Sequence, residues 1–353
     1  MALGISPRFS IGERLVGPGE PAYVIAEAGS NHNCDFDTAL RLIDTAAAAG
    51  VDAVKFQTYS GERIYSRRTP AIASLAAVSD KAPTDLLEEI SLPRDWQVGL
   101  SRHAAHRGIH FFSTPFDHQA VEELDELDVP VMKVSSFEIG DLPLIRRIAA
   151  TGRPMIISTG MATLGEIEEA LAAVRSLRGE HVALLQCTSI YPAPARLANL
   201  RAMDTLADVF RVPVGLSDHT TGIAVAIAAA GRGASVIEKH FTLDRTMRGP
   251  DHPFALEPSE LRAMVSGIRE AQEALGDGLK SGPTVEERKE SYVVGRRSLV
   301  ATRSLCAGTV LEPDMITTKR PGWGIAPREL ERVLGRRLVV DIQGDDILKW
   351  EML

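Results

Sequence analysis

The sequence predicts an α/β chain: a (βα)8 TIM barrel followed by a small, mostly β module. Three observations carry this. Eight short apolar runs recur before residue 241, segments of helical spacing alternate with them, and the composition changes after Gly278.

The runs are 23–27, 53–57, 109–114, 131–135, 155–159, 182–188, 212–217 and 235–240, rich in Val, Ile, Phe and Ala. They are apolar without strict alternation, as expected of parallel strands buried on both faces. Between them, 38–49, 120–127, 142–150, 164–177 and 223–231 have helical spacing. Gly50, Gly108, Gly152 and Gly231 fall where a left-handed residue would end a helix and turn the chain back toward the next strand. A doubly wound open sheet would alternate in the same way, so it is the count of eight that favours closure. Residues 9–16, ahead of the first run, read as a hairpin plugging the barrel floor.

The chain has 353 residues, 44% of them hydrophobic, and a net charge of −8, enough for one large core and a small second one. The arginine pairs at 67/68, 146/147, 296/297 and 336/337 are scattered, which argues against a nucleic-acid partner. The apolar stretch 223–230 is too short to span a membrane, and residues 1–10 have no signal-like core, so a cytoplasmic location is expected. Cys34, Cys187 and Cys306 form no CxxC pair, which suits a reducing compartment, and no role is assigned to them.

Gly276, Gly278 and Ser281-Gly282-Pro283, followed by the charged run 286–290, mark a boundary. We expect a barrel domain over 1–280, a linker over 281–293 and a C-terminal domain over 294–353. Within the last, 298–302, 315–318 and 338–340 read as strands and 327–334 as a helix. A module of this size lies near the limit for folding alone and is expected to lean on a partner.

In a (βα)8 barrel the active site is built from the C-terminal ends of the strands, and here nearly every run ends in polar or ionisable residues. His219 and His240 close the seventh and eighth runs, with Asp218, Glu238 and Asp251 nearby. Neighbouring imidazoles suit half of a divalent-metal site, for Mn²⁺ or Zn²⁺; the competing reading is two core histidines bonded to backbone. Lys55 and Lys133, in otherwise apolar runs, could serve a phosphate group together with Thr114, Ser136, Ser158 and Ser217, or could be paired with carboxylates such as Glu27 or Glu138. Glu27 and Glu138 are the candidate acid/base groups. The turn Arg248-Gly249-Pro250-Asp251-His252-Pro253 could hold Asp251 over the mouth.

Several of these residues sit in longer motifs: Ile25-Ala26-Glu27-Ala28-Gly29-Ser30-Asn31-His32-Asn33, Val54-Lys55-Phe56-Gln57-Thr58, Phe112-Ser113-Thr114-Pro115-Phe116, Lys133-Val134-Ser135-Ser136, Ile157-Ser158-Thr159-Gly160-Met161, Gly215-Leu216-Ser217-Asp218-His219, Glu238-Lys239-His240-Phe241-Thr242 and Gly249-Pro250-Asp251-His252. In this order they strongly resemble the sialic acid synthase family, including its spore-coat polysaccharide branch. The tail, with Arg296-Arg297-Ser298-Leu299 and Lys319-Arg320-Pro321-Gly322-Trp323-Gly324, resembles the antifreeze-like SAF domain of that family.

The resemblance implies a transferase that joins phosphoenolpyruvate to an N-acylated mannosamine-type sugar, giving a nonulosonic acid and phosphate. It implies that His219 and His240 bind a divalent metal, usually Mn²⁺, with Mg²⁺ or Co²⁺ possible. It places Lys55, Thr114, Lys133, Ser136, Ser158 and Ser217 on phosphoenolpyruvate. Glu138, Tyr191 and Asp251 would contact the sugar, with Glu27 near the reacting centre. It further implies a domain-swapped homodimer in which Arg320 reaches the neighbouring barrel.

Three departures from the family pattern bear on the sugar. Residues 60–93 contain no asparagine, Ser189, expected as a substrate-binding residue, stands where an asparagine is frequent, and Cys34 stands where glycine is usual. They leave a 2,4-diacetamido-trideoxy sugar, of legionaminic or pseudaminic type, beside N-acetylmannosamine. A phosphoenolpyruvate-dependent aldose-phosphate synthase and a non-enzymatic ice- or carbohydrate-binding protein are the readings from outside the family.

Overall fold

A computed structural model describes residues 6–72, 79–177, 179–289 and 291–353. Part of the 1–10 stretch, part of the 60–93 segment and Glu290 of the charged run lie outside them. The eight apolar runs form the strands β3 (Tyr23–Gly29), β4 (Ala53–Thr58), β5 (His110–Pro115), β6 (Met132–Val134), β7 (Met155–Ser158), β8 (Val182–Cys187), β9 (Val214–Asp218) and β10 (Val236–His240). Nearly all their residues are buried, because the barrel core lies on one face and the helices on the other.

The strand order is β5-β4-β3-β10-β9-β8-β7-β6, every pairing parallel. Pairing of β3 with β10, from Tyr23↔Val236 to Glu27↔His240, joins the first strand to the eighth and excludes a doubly wound sheet. The terminal strands β5 and β6 run alongside each other without a ladder, so the barrel is nearly closed.

Local chemistry fixes where the surrounding helices begin. Asp35, Asp117 and Asp141 cap the helices Phe36–Ala49, His118–Glu126 and Leu142–Ala149 through backbone N–H groups of Thr38, Ala120 and Leu144. Thr163 and Glu166 form a reciprocal capping box on Leu164–Arg175. Gly50, Gly108 and Gly152 take the expected left-handed conformation. Gly231 does not: the Ala-rich helix Ala224–Gly231 includes it, and the turn is made by Gly233 at φ +90°.

The hairpin β1 (Phe9–Ile11) and β2 (Arg14–Val16) lies at the floor, as expected. Phe9, Ile11 and Val16 join the barrel core, and Phe9 stacks on His181 just ahead of β8. Arg14 and Arg269 converge on Asp52, which also accepts from the Val24 N–H.

The chain divides between Gly276 and Asp277. In the second unit β11 (Ser298–Ala301) pairs antiparallel with β12 (Ile316–Lys319) over a core that includes Leu299, Leu311, Val333, Leu338 and Leu348. The expected strand 338–340 is absent: Leu338 is a core residue, Val339 and Val340 are exposed, and pairing is confined to single bridges such as Val310 with Arg337. The expected helix 327–334 splits into a 3₁₀ turn, Pro327–Glu329, and a single turn, Leu330–Val333. The segment read as linker, 281–293, contains the short helix Val285–Lys289 and the start of a second, Ser291–Gly295, which runs past its end. Among the described residues no helix is long and apolar enough to cross a membrane.

Candidate active site

Alternation along the strands decides which side chains enter the barrel mouth. In β10, Glu238 and His240 face a cavity of about 380 Å³, whereas Lys239 points away and is bound by Asp218 at 2.7 Å and the Thr220 carbonyl at 2.6 Å. Asp218, expected near the site, therefore belongs to a structural ion pair behind it. The same alternation brings Glu27, Lys55, Thr114, Lys133, Ser158, Ser217 and His219 to the cavity, and the loops above add Ser136, Glu138, Tyr191 and Asp251.

Two of the expected residues are not part of this wall. The Ser189 Oγ is buried beside Gly160, where an added Cβ would lie 2.5 Å from it, and it has no hydrogen-bond partner among the described residues. Arg320 is an exposed residue of the second unit, just after β12. Gln57, Tyr59 and Ser30 line the cavity beyond the expected residues, and so does Glu238, which the sequence places only near the two histidines. The period-two spacing of Glu238 with His240, and of Gln57 with Lys55, is the signal that would have found two of them.

The floor of the cavity is a cluster of four buried charges. The Lys55 Nζ lies 2.8 Å from Glu27 and 3.8 Å from Glu238, and donates to Thr114 Oγ1 at 2.9 Å. The Lys133 Nζ lies 3.9 Å from Glu238 and donates to Ser158 Oγ at 2.6 Å and to the Val134 carbonyl at 2.9 Å. The lysines are thus paired with carboxylates, Glu27 and Glu238 rather than Glu138, while both also line the cavity.

The two carboxylates are driven apart. Burial, reinforced by the charge of Glu238, pushes Glu27 up to about 7 against the pull of Lys55. Glu238 is equally buried, yet Lys133 and Lys55 together hold it below the usual range. Lys55 is raised: Glu238 and Glu27 outweigh its burial. A raised Lys55 requires an ionised neighbour, whereas a raised Glu27 favours protonation, so the two directions conflict over one ion pair. The short contact and the second carboxylate make Lys55 the firm ammonium. Glu27 is the carboxylate that gains a proton most readily, and Gln57 Nε2 holds its other oxygen at 2.7 Å. Burial also raises Glu138, which accepts from Ser135 Oγ, and lifts Asp251 to about 6.

Beside this cluster, on the same cavity, the His219 and His240 rings stand 5.4 Å apart, with Tyr191 over His219 at 4.2 Å. Burial lowers both imidazoles, His219 to about 4 and His240 well below its usual value, so both are neutral, the ligating form. His219 Nδ1 donates to the Thr188 carbonyl at 3.0 Å, leaving Nε2 as a free acceptor. His240 Nδ1 is buried without a hydrogen-bond partner among the described residues, and the nearest carboxylate, Asp251, is 3.7 Å away. Two neutral imidazoles and an orphaned ring nitrogen fit a divalent cation. Among the described residues no group of three or more His, Cys, Asp or Glu side chains is arranged to hold one.

Fold and site together define a β/α barrel with a polar cavity rich in ionisable groups at the C-terminal ends of its strands and an appended β module. Over residues 42–280 the chain matches the NeuB family, and over 296–353 the SAF domain. The chain belongs to the NeuB family. It is 40% identical to the N,N'-diacetyllegionaminic acid synthase of Campylobacter jejuni over 331 residues, 92% of this chain and 98% of that one. It is 36% identical to the N-acetylneuraminate-9-phosphate synthase of Mus musculus over 342 residues, 96% and 94% of the two chains. Among solved structures, the N-acetylneuraminic acid synthetase of Leptospira borgpetersenii superposes with a TM-score of 0.73 at 34% identity, covering 81% of this chain and 96% of that one.

Proposed function

We propose that the protein condenses phosphoenolpyruvate with the open-chain form of an N-acylated mannosamine-type sugar, giving a nonulosonic acid and phosphate in the cytoplasm. The observation that carries this reading is the convergence of two buried lysines, hydroxyl donors, a proton-accepting carboxylate and two neutral imidazoles on one cavity.

Lys55 and Lys133, with Thr114, Ser136, Ser158 and Ser217, bind the phosphate and carboxylate of the enol phosphate. Glu27 and Glu238 already balance these lysines, so the incoming anion favours proton uptake by Glu27, the raised carboxylate. As C3 of the enol attacks the aldehyde carbon, Glu27 delivers that proton to the aldehyde oxygen, which becomes a hydroxyl. Water adds at the cationic C2 and loses its proton to Glu138 or Asp251. Cleavage of the bond between C2 and the phosphate oxygen then expels phosphate, which takes up the proton of the new C2 hydroxyl as that oxygen becomes the ketone of the 2-keto acid. His219 and His240 would hold a divalent cation, Mn²⁺ in our reading with Mg²⁺ or Co²⁺ as alternatives, whose chemistry is Lewis-acid polarisation of a carbonyl. Tyr191 and Asp251 orient the sugar, and Arg320, supplied by the second copy of a homodimer, closes over its N-acyl group.

A 2,4-diacetamido-trideoxy sugar is the second reading, favoured by the 40% identity to a legionaminic acid synthase and by the absence of asparagine from residues 60–93. The test is phosphate release from phosphoenolpyruvate and Mn²⁺ with N-acetylmannosamine, its 6-phosphate and the diacetamido sugars in turn. Release with arabinose 5-phosphate, or with none of the N-acyl sugars, would overturn the proposal.

A further inference from the structure

Asp251 reaches the cavity from a loop rather than from a strand, and a loop carboxylate needs something to fix it. Its surroundings are tight. Gly29 adopts φ +51°, and a Cβ there would lie 2.8 Å from Asp251 Oδ2 and 3.5 Å from the His240 ring, so no other residue fits without displacing the carboxylate. The adjacent residue, His252, is fully buried and faces the other way. Its Nδ1 lies 2.6 Å from Thr242 Oγ1, and its Nε2 donates to Asn33 Oδ1 at 3.1 Å. Thr242 is fully buried and follows β10 by two residues, while Asn33 belongs to the turn after β3. Gly249 closes the loop around the ring: a Cβ there would sit 2.7 Å from His252 Cδ2.

We infer that His252 is a positioning residue: by bridging Thr242 and Asn33 it clamps the 249–252 loop to the ends of β10 and β3 and thereby sets the Asp251 carboxylate in the cavity. Both ring nitrogens are occupied, so His252 has none left for a substrate or a cation, and its effect passes through Asp251. Thr242 donates to Nδ1 and Nε2–H donates to Asn33, which fixes one neutral tautomer. The inference rests on the proposed function only in taking Asp251 as a sugar-binding group.

The test uses the full chain and pairs kinetics with hydrogen exchange. His252→Ala is expected to raise the sugar KM on the order of tenfold, with the phosphoenolpyruvate KM unchanged. Adding Asp251→Ala to it should cost no more than Asp251→Ala alone, because the two act as one unit. His252→Gln, which keeps a donor and an acceptor, should recover part of the loss. Exchange of the peptide spanning 244–256 should accelerate in His252→Ala and in Thr242→Val while the barrel strands keep their protection. If His252→Ala does not fold, Thr242→Val and His252→Gln carry the same comparison. Additive effects of the 251 and 252 substitutions, or unaltered exchange in 244–256, would overturn the inference. Failure of the wild-type protein to turn over any N-acyl sugar would instead count against the proposed function, and exchange would still judge the clamp.

Discussion

Glu238 sits between the ammonium groups of Lys55 and Lys133 whereas Glu27 faces Lys55 alone, and the two carboxylates end on opposite sides of the ordinary carboxylate range. Environments that split two carboxylates in this way assign the acid/base role. Glu27→Gln is therefore expected to lower kcat by about 10²–10⁴ while the protein stays folded. In the wild type, where the protonated form is the working acid, kcat/KM should fall as pH rises through about 7, and that limb should be missing from the Gln variant; a pH–rate profile of both checks it. His219→Ala and His240→Ala should lose metal-dependent turnover with unchanged circular dichroism, and unchanged rates in both would refute the metal assignment. Most of the candidate site was legible in the sequence because strand ends announce themselves: Lys55, Lys133, His219 and His240 are ionisable residues in apolar runs. Glu238 and Gln57 were harder to weigh because each has another polar residue beside it, and only the pleat says which of two neighbours points inward.

At the level of elements, Asp117 shows how one side chain ties a loop, a helix start and two neighbouring segments together. It caps His118–Glu126 through the Ala120 N–H at 2.9 Å and accepts from Arg94 at 2.6 Å and Arg63 at 2.9 Å. Partial burial alone would raise its pKa, but the Ala120 N–H, Arg94 and Arg63 hold it below the usual value of 3.8. A carboxylate depressed in the folded state contributes stability above its unfolded pKa, and that contribution is lost as pH falls through the folded value. Asp117→Ala should therefore cost about 1–3 kcal/mol at neutral pH, with a deficit that shrinks in acid; urea unfolding at both pH values measures it. Elements with strong local signals were legible, as Asp35, Asp141 and the Thr163–Glu166 box start their helices close to where the spacing places them. Where the signal is tertiary, the reading failed. Residues 338–340 have strand-forming side chains, but Val339 and Val340 face solvent, and the small core takes only Leu338.

For the whole molecule, the barrel and the SAF domain each have their own core, and the proposal puts Arg320 of one chain at the barrel of another. The formal charges differ between the units: residues 1–276 carry 26 Lys and Arg against 35 Asp and Glu, and residues 277–353 carry 13 against 12, so an acidic barrel is joined to a nearly neutral module. An arginine brought to the barrel mouth would meet a cavity lined by four carboxyl groups, Glu27, Glu138, Glu238 and Asp251, against two lysines. If it comes from a second copy, as proposed, a complete site needs the barrel of one chain and the tail of the other. His240→Ala and Arg320→Ala should then each be inactive or weakly active alone, but should complement when unfolded and refolded together. In a mixed dimer the intact barrel of the Arg320→Ala chain is served by the intact tail of the His240→Ala chain. Random pairing of equal amounts gives half heterodimers with one good site of two, so activity should return to about a quarter of the wild-type level. An arginine acting within its own chain would give no recovery, because every chain in the mixture would still lack either its imidazole or its guanidinium. Wild-type refolded under the same conditions sets the scale, and a turnover assay on the sugar identified by the panel reads the result.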